Sequence, residues 1–160
     1  MTFINPWLWL IPAAGLMVLI AVWRFHGLGH VIMAERARES FRLQRERLET
    51  LFLEEASKGG TPRGLRWLAC AFSDEVEFGK ERQSGQIVAL VGATIQFEAI
   101  AGSDMEGLPA VPLPRQGTAV LNFTRGHWLS VGKVIFNLRP SEVLDRFAAA
   151  YEPLPRARKC

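Results

Sequence analysis

The sequence has few of the residues that most often carry chemistry in proteins. Its 160 residues include two cysteines, three histidines and one tyrosine. Cys70 and Cys160 form neither a metal-binding spacing nor a disulfide framework, and a buried free thiol at Cys70 fits a reducing compartment. The sequence therefore predicts no cofactor and no metal centre.

Charge is missing from the start of the chain. Residues 1–23 contain no charged side chain, and the apolar run 6–25 holds one charge, Arg24. At about 1.5 Å per residue, a helix of this length spans roughly 30 Å, the thickness of the hydrocarbon core of a bilayer. Trp7 and Trp9 at one end and Trp23 at the other occupy positions that indole rings favour at membrane interfaces. We predict a membrane anchor, fixed in the lipid bilayer by Trp7, Trp9, Trp23 and Arg24.

Two other interpretations of this run stay open. A cleaved secretory signal needs a basic start, a shorter apolar core and a small-residue cleavage site, and the run fits none of these features. A helix buried in a water-soluble protein is the other alternative. Gly27 and Gly29 follow the run and are expected to interrupt the helix, so residues 1–29 are predicted to be an anchor and hinge.

The orientation of the anchor follows from the positions of the basic residues. Arginines lie at and beyond the C-terminal end of the run, among them Arg24, Arg36 and Arg38, whereas no Lys or Arg precedes the run. Basic residues next to a span stay preferentially in the cytoplasm. We predict a single-pass protein of the cell membrane with its N-terminus outside, residues 30–153 as a cytoplasmic domain and residues 154–160 as a basic tail.

The formal net charge is slight, at +3. The basic residues cluster near the anchor and in the tail, which favours attraction to anionic lipid headgroups. No basic face interleaved with aromatic residues and no nucleic-acid-binding motif is present. Nucleic acid is therefore not expected as a partner.

The hydrophobic periodicity after the anchor predicts a helix, then strands. Residues 31–57 carry apolar side chains at helical spacing, and Gly59, Gly60 and Pro62 end the pattern. The apolar positions are Met33, Ala37, Phe41, Leu48, Leu51 and Phe52, and the sheet needs Phe41, Leu48, Leu51 and Phe52 as core. Strand patterns follow at 65–72, 75–78, 87–100, 118–124 and 128–138, and Ser141 begins a short helix with Val143, Leu144, Phe147 and Tyr151 on its apolar face. The prediction is an α+β fold in two layers, with the helices on one side of an antiparallel sheet of about four strands.

This order of elements is similar to the cystatin-like and nuclear-transport-factor-like architectures, an analogy that names no function. Two stretches, residues 62–67 (PRGLRW) and 134–140 (VIFNLRP), resemble small bacterial membrane-anchored proteins that have no assigned activity. The resemblance implies a membrane anchor on a small domain and brings no site residues with it.

Three groups of residues are candidates for a metal-binding or catalytic site. His26 and His30 have the spacing of two helical metal ligands, but no third ligand lies nearby. Asp74, Glu75, Glu77 and Glu81 form an acidic cluster that fits the wet face of an edge strand better than acid–base catalysis. His127 lies in a predicted turn, where a surface histidine is the simpler interpretation. We therefore predict no catalytic residue.

Prolines concentrate in the connection 101–117. Pro109, Pro112 and Pro114 with Arg115 resemble a polyproline ligand and are the candidate contacts for a protein partner; a proline-stiffened connection is the alternative. The function predicted from the sequence is a non-catalytic binding or assembly module, tethered to the cytoplasmic face of the membrane and recognising a protein partner. The alternative is a small ligand-binding domain or enzyme with a pocket between the long helix and the sheet.

Overall fold

The computed structural model of the protein describes residues 7–59 and 64–155, and for residues 7–14 and 18–30 it describes the backbone alone. The chain divides into two compact units, Met1–Glu35 and Arg36–Cys160. The elements in chain order are α1 (Trp7–Lys58), β1 (Leu65–Glu81), β2 (Ile87–Ala99), β3 (Arg115–Thr124), β4 (His127–Phe136), α2 (Pro140–Arg146) and β5 (Tyr151–Pro153).

Helix α1 is continuous, so the predicted interruption at Gly27 and Gly29 is wrong. A glycine inside a helix costs about 1 kcal/mol relative to alanine. The combined free-energy cost of the two glycines is too small to end a helix that continues on both sides of them. The helix stops at Lys58, and Gly59 donates its main-chain N–H to the carbonyl of Glu55.

The predicted α+β class is confirmed, with a curled antiparallel sheet in the order β4-β3-β2-β1-β5. The β1–β2 and β3–β4 hairpins occur as predicted. The fifth strand was not predicted, since Tyr151 was assigned to the last helix. Instead α2 ends at Arg146, a turn follows, and Tyr151 pairs with Glu81 of β1.

The two faces of the sheet pack against different helices. On one face, alternate residues of β2 from Ala89 to Phe97 pack against Phe41, Leu48 and Phe52 of α1. On the other face, Val88 and Leu90 pack against α2. The predicted placement of both helices on one side of the sheet is therefore wrong. The physical reason is that β2 is apolar on both faces in this region, so each face needs a cover.

Side chains of α1 also bind the main chain of β1 at a bulge. The pairing of β1 with β2 shifts register between Phe72 and Val76. Glu49 accepts a hydrogen bond from the main-chain N–H of Phe72 at 2.8 Å, and Arg45 donates to the carbonyl of Phe72 at 2.9 Å. Arg45 also pairs with Asp74 at 2.9 Å. These bonds satisfy the main-chain N–H and C=O of Phe72, which the neighbouring strand does not reach.

Candidate functional site

The connection between β2 and β3, residues 100–114, is here called the proline loop. It consists of consecutive tight turns held by main-chain hydrogen bonds: Ser103 to Ile100, Glu106 to Ser103, Leu108 to Met105 and Val111 to Leu108, at 3.0 to 3.3 Å. The Ser103 hydroxyl donates to the carbonyl of Gly64, and Val111 is buried in the core against α1. The proline loop is therefore anchored at its start and near its end.

This anchored loop keeps apolar side chains in solvent. Leu108 is 45 % exposed and Leu113 is 60 % exposed, and the three prolines between 109 and 114 are exposed as well. A loop that is free to rearrange would bury such side chains, because each leucine gains about 1.5–3 kcal/mol on full burial. Exposed apolar groups on a fixed backbone are typical of a contact surface.

The predicted contact residues occupy distinct positions in this surface. Pro109 and Pro112 line a cavity, Pro114 directly precedes β3, and Arg115 is the exposed first residue of β3, opposite Ile95. The chain turns between Pro109 and Pro112. The prolines therefore stiffen a series of turns and do not form a polyproline helix there.

The cavity lies between the proline loop and the end of β2 and has a volume of about 560 Å³. The β2–β3 pairing stops at Ile95 and Arg115, so the last residues of β2 have no strand on that side. Apolar side chains dominate the walls, and Gln96 and Glu98 add polar groups. The lining residues are Leu68, Gln96, Phe97, Glu98, Ala99, Met105, Gly107, Leu108, Pro109, Val111 and Pro112.

Leu68, Leu108 and Leu113 were not among the predicted contacts. Leu108 directly precedes Pro109, and Leu113 lies between Pro112 and Pro114, so their position next to the prolines was a usable signal. Leu68 had none, because its position depends on a register shift between Trp67 and Ala69 in the pairing of β1 with β2.

A second cavity, of about 400 Å³, is lined mainly by polar residues and lies beside the bulge of β1. Its walls combine Ser73 and Glu75 with Gln116, with Arg139 in the turn before α2 and with Glu142 in α2. The Glu142 carboxylate accepts the main-chain N–H of Arg139 at 2.7 Å and so caps the start of α2. Charged side chains of both signs line this cavity, and among the described residues no nucleophile in it is hydrogen-bonded to a base.

Aromatic rings fill the space between α1 and the sheet. Trp128 contacts Phe41 and Phe123 with ring centroids 5.6 and 5.0 Å apart, and its indole N–H donates to the carbonyl of Ala37 at 3.1 Å. Trp67 contacts Phe52 and Phe97. The predicted alternative, a pocket between the long helix and the sheet, would need polar side chains of β2 to point to α1. Thr94 and Gln96 lie instead on the face that alternates with the α1-facing residues Ala93, Ile95 and Phe97.

The side chains that could be reactive are buried, exposed beside a turn or already in an ion pair. Burial raises the pKa of the Cys70 thiol to about 12, and the nearby charge of Glu49 adds to that shift. The thiol is therefore protonated and a poor nucleophile at neutral pH. His127 is exposed at the start of β4, and Asp74 pairs with Arg45. Among the described residues, no group of three or more His, Cys, Asp or Glu side chains is arranged for a metal ion.

The predicted membrane anchor lies almost wholly outside the described side chains, with Trp7, Trp9, Trp23 and Arg24, and the same holds for His26 and His30. Where side chains are described, no helix is long and apolar enough to cross a membrane.

Comparison of the chain with protein-family models, with curated proteins and with solved structures finds no match in any of the three.

Proposed function

We propose that the protein is a membrane-tethered binding module, non-catalytic, whose domain recognises a protein partner at the cytoplasmic face of the membrane through the proline loop. The single observation that carries the binding role is the anchored loop that keeps Leu108 and Leu113 exposed beside an open cavity. A contact surface of this kind binds without a large ordering cost, since its backbone is already fixed.

The membrane tether is supported by the sequence of residues 6–25, an apolar run of span length that ends at Arg24. The proposed orientation places the N-terminus outside, because the basic residues follow the run. Several of the arginines that follow it are engaged within the domain. Arg45 binds Asp74 and Phe72, and Arg42 binds Glu39 at 2.7 Å. We therefore assign these arginines a structural role rather than one in binding lipid headgroups.

The tether is tested by sedimenting lysed cells that produce the full-length protein. The protein is expected in the membrane pellet and is expected to remain there after an alkaline carbonate wash, which removes peripheral proteins. External protease added to intact cells should leave the domain uncut. Full-length protein in the supernatant would contradict the tether, and digestion from outside would contradict the orientation.

The binding role is tested by purifying the full-length protein from membranes in mild detergent, as wild type and with Leu108→Glu. A partner protein is expected to accompany the wild type in fixed ratio and to be lost from the variant, since a carboxylate at position 108 opposes apolar contact. Leu129→Glu is the matched control, because Leu129 is 52 % exposed on β4, outside the proline loop. Equal recovery of the partner with both variants would contradict the role of the loop.

The alternative function, a small ligand-binding domain or enzyme, is favoured by one observation, the polar cavity of about 400 Å³ beside α2. It ranks second for two reasons. Among the described residues, no nucleophile in that cavity is paired with a base, and Glu142 is already used to cap α2.

A further inference from the structure

The end of β2 presents main-chain groups to the cavity of the proline loop. In an antiparallel pair, the N–H and C=O of one residue point to one neighbouring strand and those of the next residue point to the other side. Gln86 accepts the N–H of Glu81, and Ile100 donates to the carbonyl of Gly64. At both ends of β2, the main-chain groups of even-numbered residues therefore point to β1. Odd-numbered residues therefore face β3.

The pairing with β3 uses these odd-numbered residues and then stops. It runs from Ile87, opposite Phe123, to Ile95, opposite Arg115. Phe97 and Ala99 continue the series beyond the last pair, and both line the cavity. Between described residues, no hydrogen bond from the proline loop reaches the main chain of Phe97 or Ala99. The end of β2 is thus a short strand edge without a partner strand.

β3 does not extend along this edge. Continuing the register would place Leu113 opposite Phe97 and Val111 opposite Ala99. Instead, residues 109–112 form turns and Val111 is buried in the core. The chain leaves the line of β3 at this point, and the cavity occupies the space beside Phe97 and Ala99.

The surroundings of this edge define what could pair with it. Phe97 is 2 % exposed, so a ligand reaches its main chain only from within the cavity. The walls on one side are the apolar side chains of Met105, Leu108 and Val111. Residues 98–114 contain Glu98, Asp104 and Glu106 and no Lys or Arg, and the exposed Arg115 follows them. Glu98 already pairs with Arg66, and the exposed Glu106 accepts the main-chain N–H of Gly102 at 2.7 Å, whereas Asp104 is exposed.

We propose that the partner binds as a short extended peptide segment that pairs, as an added strand, with the main chain of Phe97 and Ala99. Its apolar side chain contacts Met105, Leu108 and Val111, and a Lys or Arg beside it faces the carboxylates of the loop. Main-chain hydrogen bonds supply affinity in strand addition, and the pockets for alternate side chains supply specificity. This inference rests on the proposed role of the domain in binding a protein.

The probe is a displayed library of random twelve-residue peptides, selected for binding to the full-length protein in detergent. Peptides that also bind the immobilised Leu108→Glu variant are removed as background. Enriched peptides are expected to share an apolar residue with a neighbouring Lys or Arg. A synthetic peptide of that sequence is expected to bind wild type and the Leu129→Glu control equally, and Leu108→Glu at least about tenfold more weakly. The same peptide with N-methyl groups on its main-chain nitrogens keeps its side chains and is expected to lose binding.

A second variant tests the main chain of the protein itself. Ala99→Pro removes an N–H that faces the cavity and not β1, so the β1–β2 pairing is retained and peptide binding falls. Hydrogen exchange of the wild type should show the Phe97 and Ala99 amides slowed by the peptide. No enriched peptide, full binding of the N-methylated peptide, or unchanged exchange at both amides would overturn the inference.

The outcomes separate this inference from the proposed function. A partner that is lost with Leu108→Glu but retained with Ala99→Pro leaves the binding role in place and overturns strand addition. A peptide that binds as described, in a protein that purifies from membranes without a partner, supports strand addition and contradicts the proposed assembly role.

Discussion

At the scale of single residues, the buried Trp128 and the partly buried Trp67 differ in one hydrogen bond. The indole N–H of Trp128 donates to Ala37, whereas the indole nitrogen of Trp67 is buried without a partner among the described residues. An unpaired buried donor costs about 1–3 kcal/mol, and a typical paired one contributes about 1 kcal/mol. The two rings therefore contribute unequally to stability although both pack in the same core.

Replacing each tryptophan with phenylalanine isolates this difference. Both variants lose the same ring atoms, but Trp128→Phe also loses a hydrogen bond, and Trp67→Phe removes an unpaired donor. We expect Trp128→Phe to be less stable than Trp67→Phe by about 1–3 kcal/mol in urea unfolding of the full-length protein in detergent, followed by circular dichroism. Equal stability would show that Trp67 has an acceptor in solution.

The thiol of Cys70 gives a second test at this scale. Because its pKa is raised to about 12, the thiolate that reacts with alkylating reagents is scarce at pH 8. In a Cys160→Ser variant, which leaves Cys70 as the one thiol, we expect no alkylation at pH 8 in the folded protein and full alkylation after denaturation. Rapid alkylation of the folded protein would contradict the buried position.

At the scale of elements, the bulge of β1 depends on a glycine in the neighbouring strand. A Cβ atom added at Gly92 would lie 2.3 Å from the Ser73 hydroxyl oxygen, while its next contacts, with Glu75, are at 3.5 Å. Gly92→Ala therefore forces Ser73 to move, and the expected loss is about 1–3 kcal/mol, as for other overpacked sites.

The double variant Ser73→Ala with Gly92→Ala tests this contact directly. Removing the hydroxyl removes the clash, so the double variant is expected to recover most of the stability in urea unfolding. Gly132→Ala is the contrasting case, because its Cβ would lie 2.5 Å from main-chain atoms of Ala56 at the end of α1 and φ there is +67°. A side chain can rotate away, whereas the helix backbone cannot. No recovery in the double variant would contradict the described bulge.

At the scale of the whole molecule, the sequence predicted the parts that depend on periodicity. Phe41, Leu48 and Phe52 of the long helix were expected in the core and are buried, and the α+β class with its two hairpins is confirmed. Met33, one of the apolar positions at helical spacing, is exposed. Repeating apolar positions carry this information because a helix or strand presents them on one face.

The parts that failed depend on contacts between distant segments. The three-residue strand at Tyr151 exists because it pairs with Glu81, and nothing local distinguishes it from a helix end. α2 lies on the far face of the sheet because Val88 and Leu90 are buried there. Their burial on that face was not predicted, although this run is apolar at both even-numbered and odd-numbered positions. The prolines of the candidate site were found from composition, but the cavity beside them needed the register of β2 with β3.

The most direct test of the account is site-directed photocrosslinking in living cells, with a photoreactive amino acid at position 108 of the full-length protein and, as a control, at position 129. The account predicts that position 108 crosslinks to a discrete protein in the membrane fraction and that position 129, equally exposed on β4, does not. Crosslinks from position 129 but not from position 108, or no protein crosslink from position 108 in membranes that hold the protein, would contradict the account.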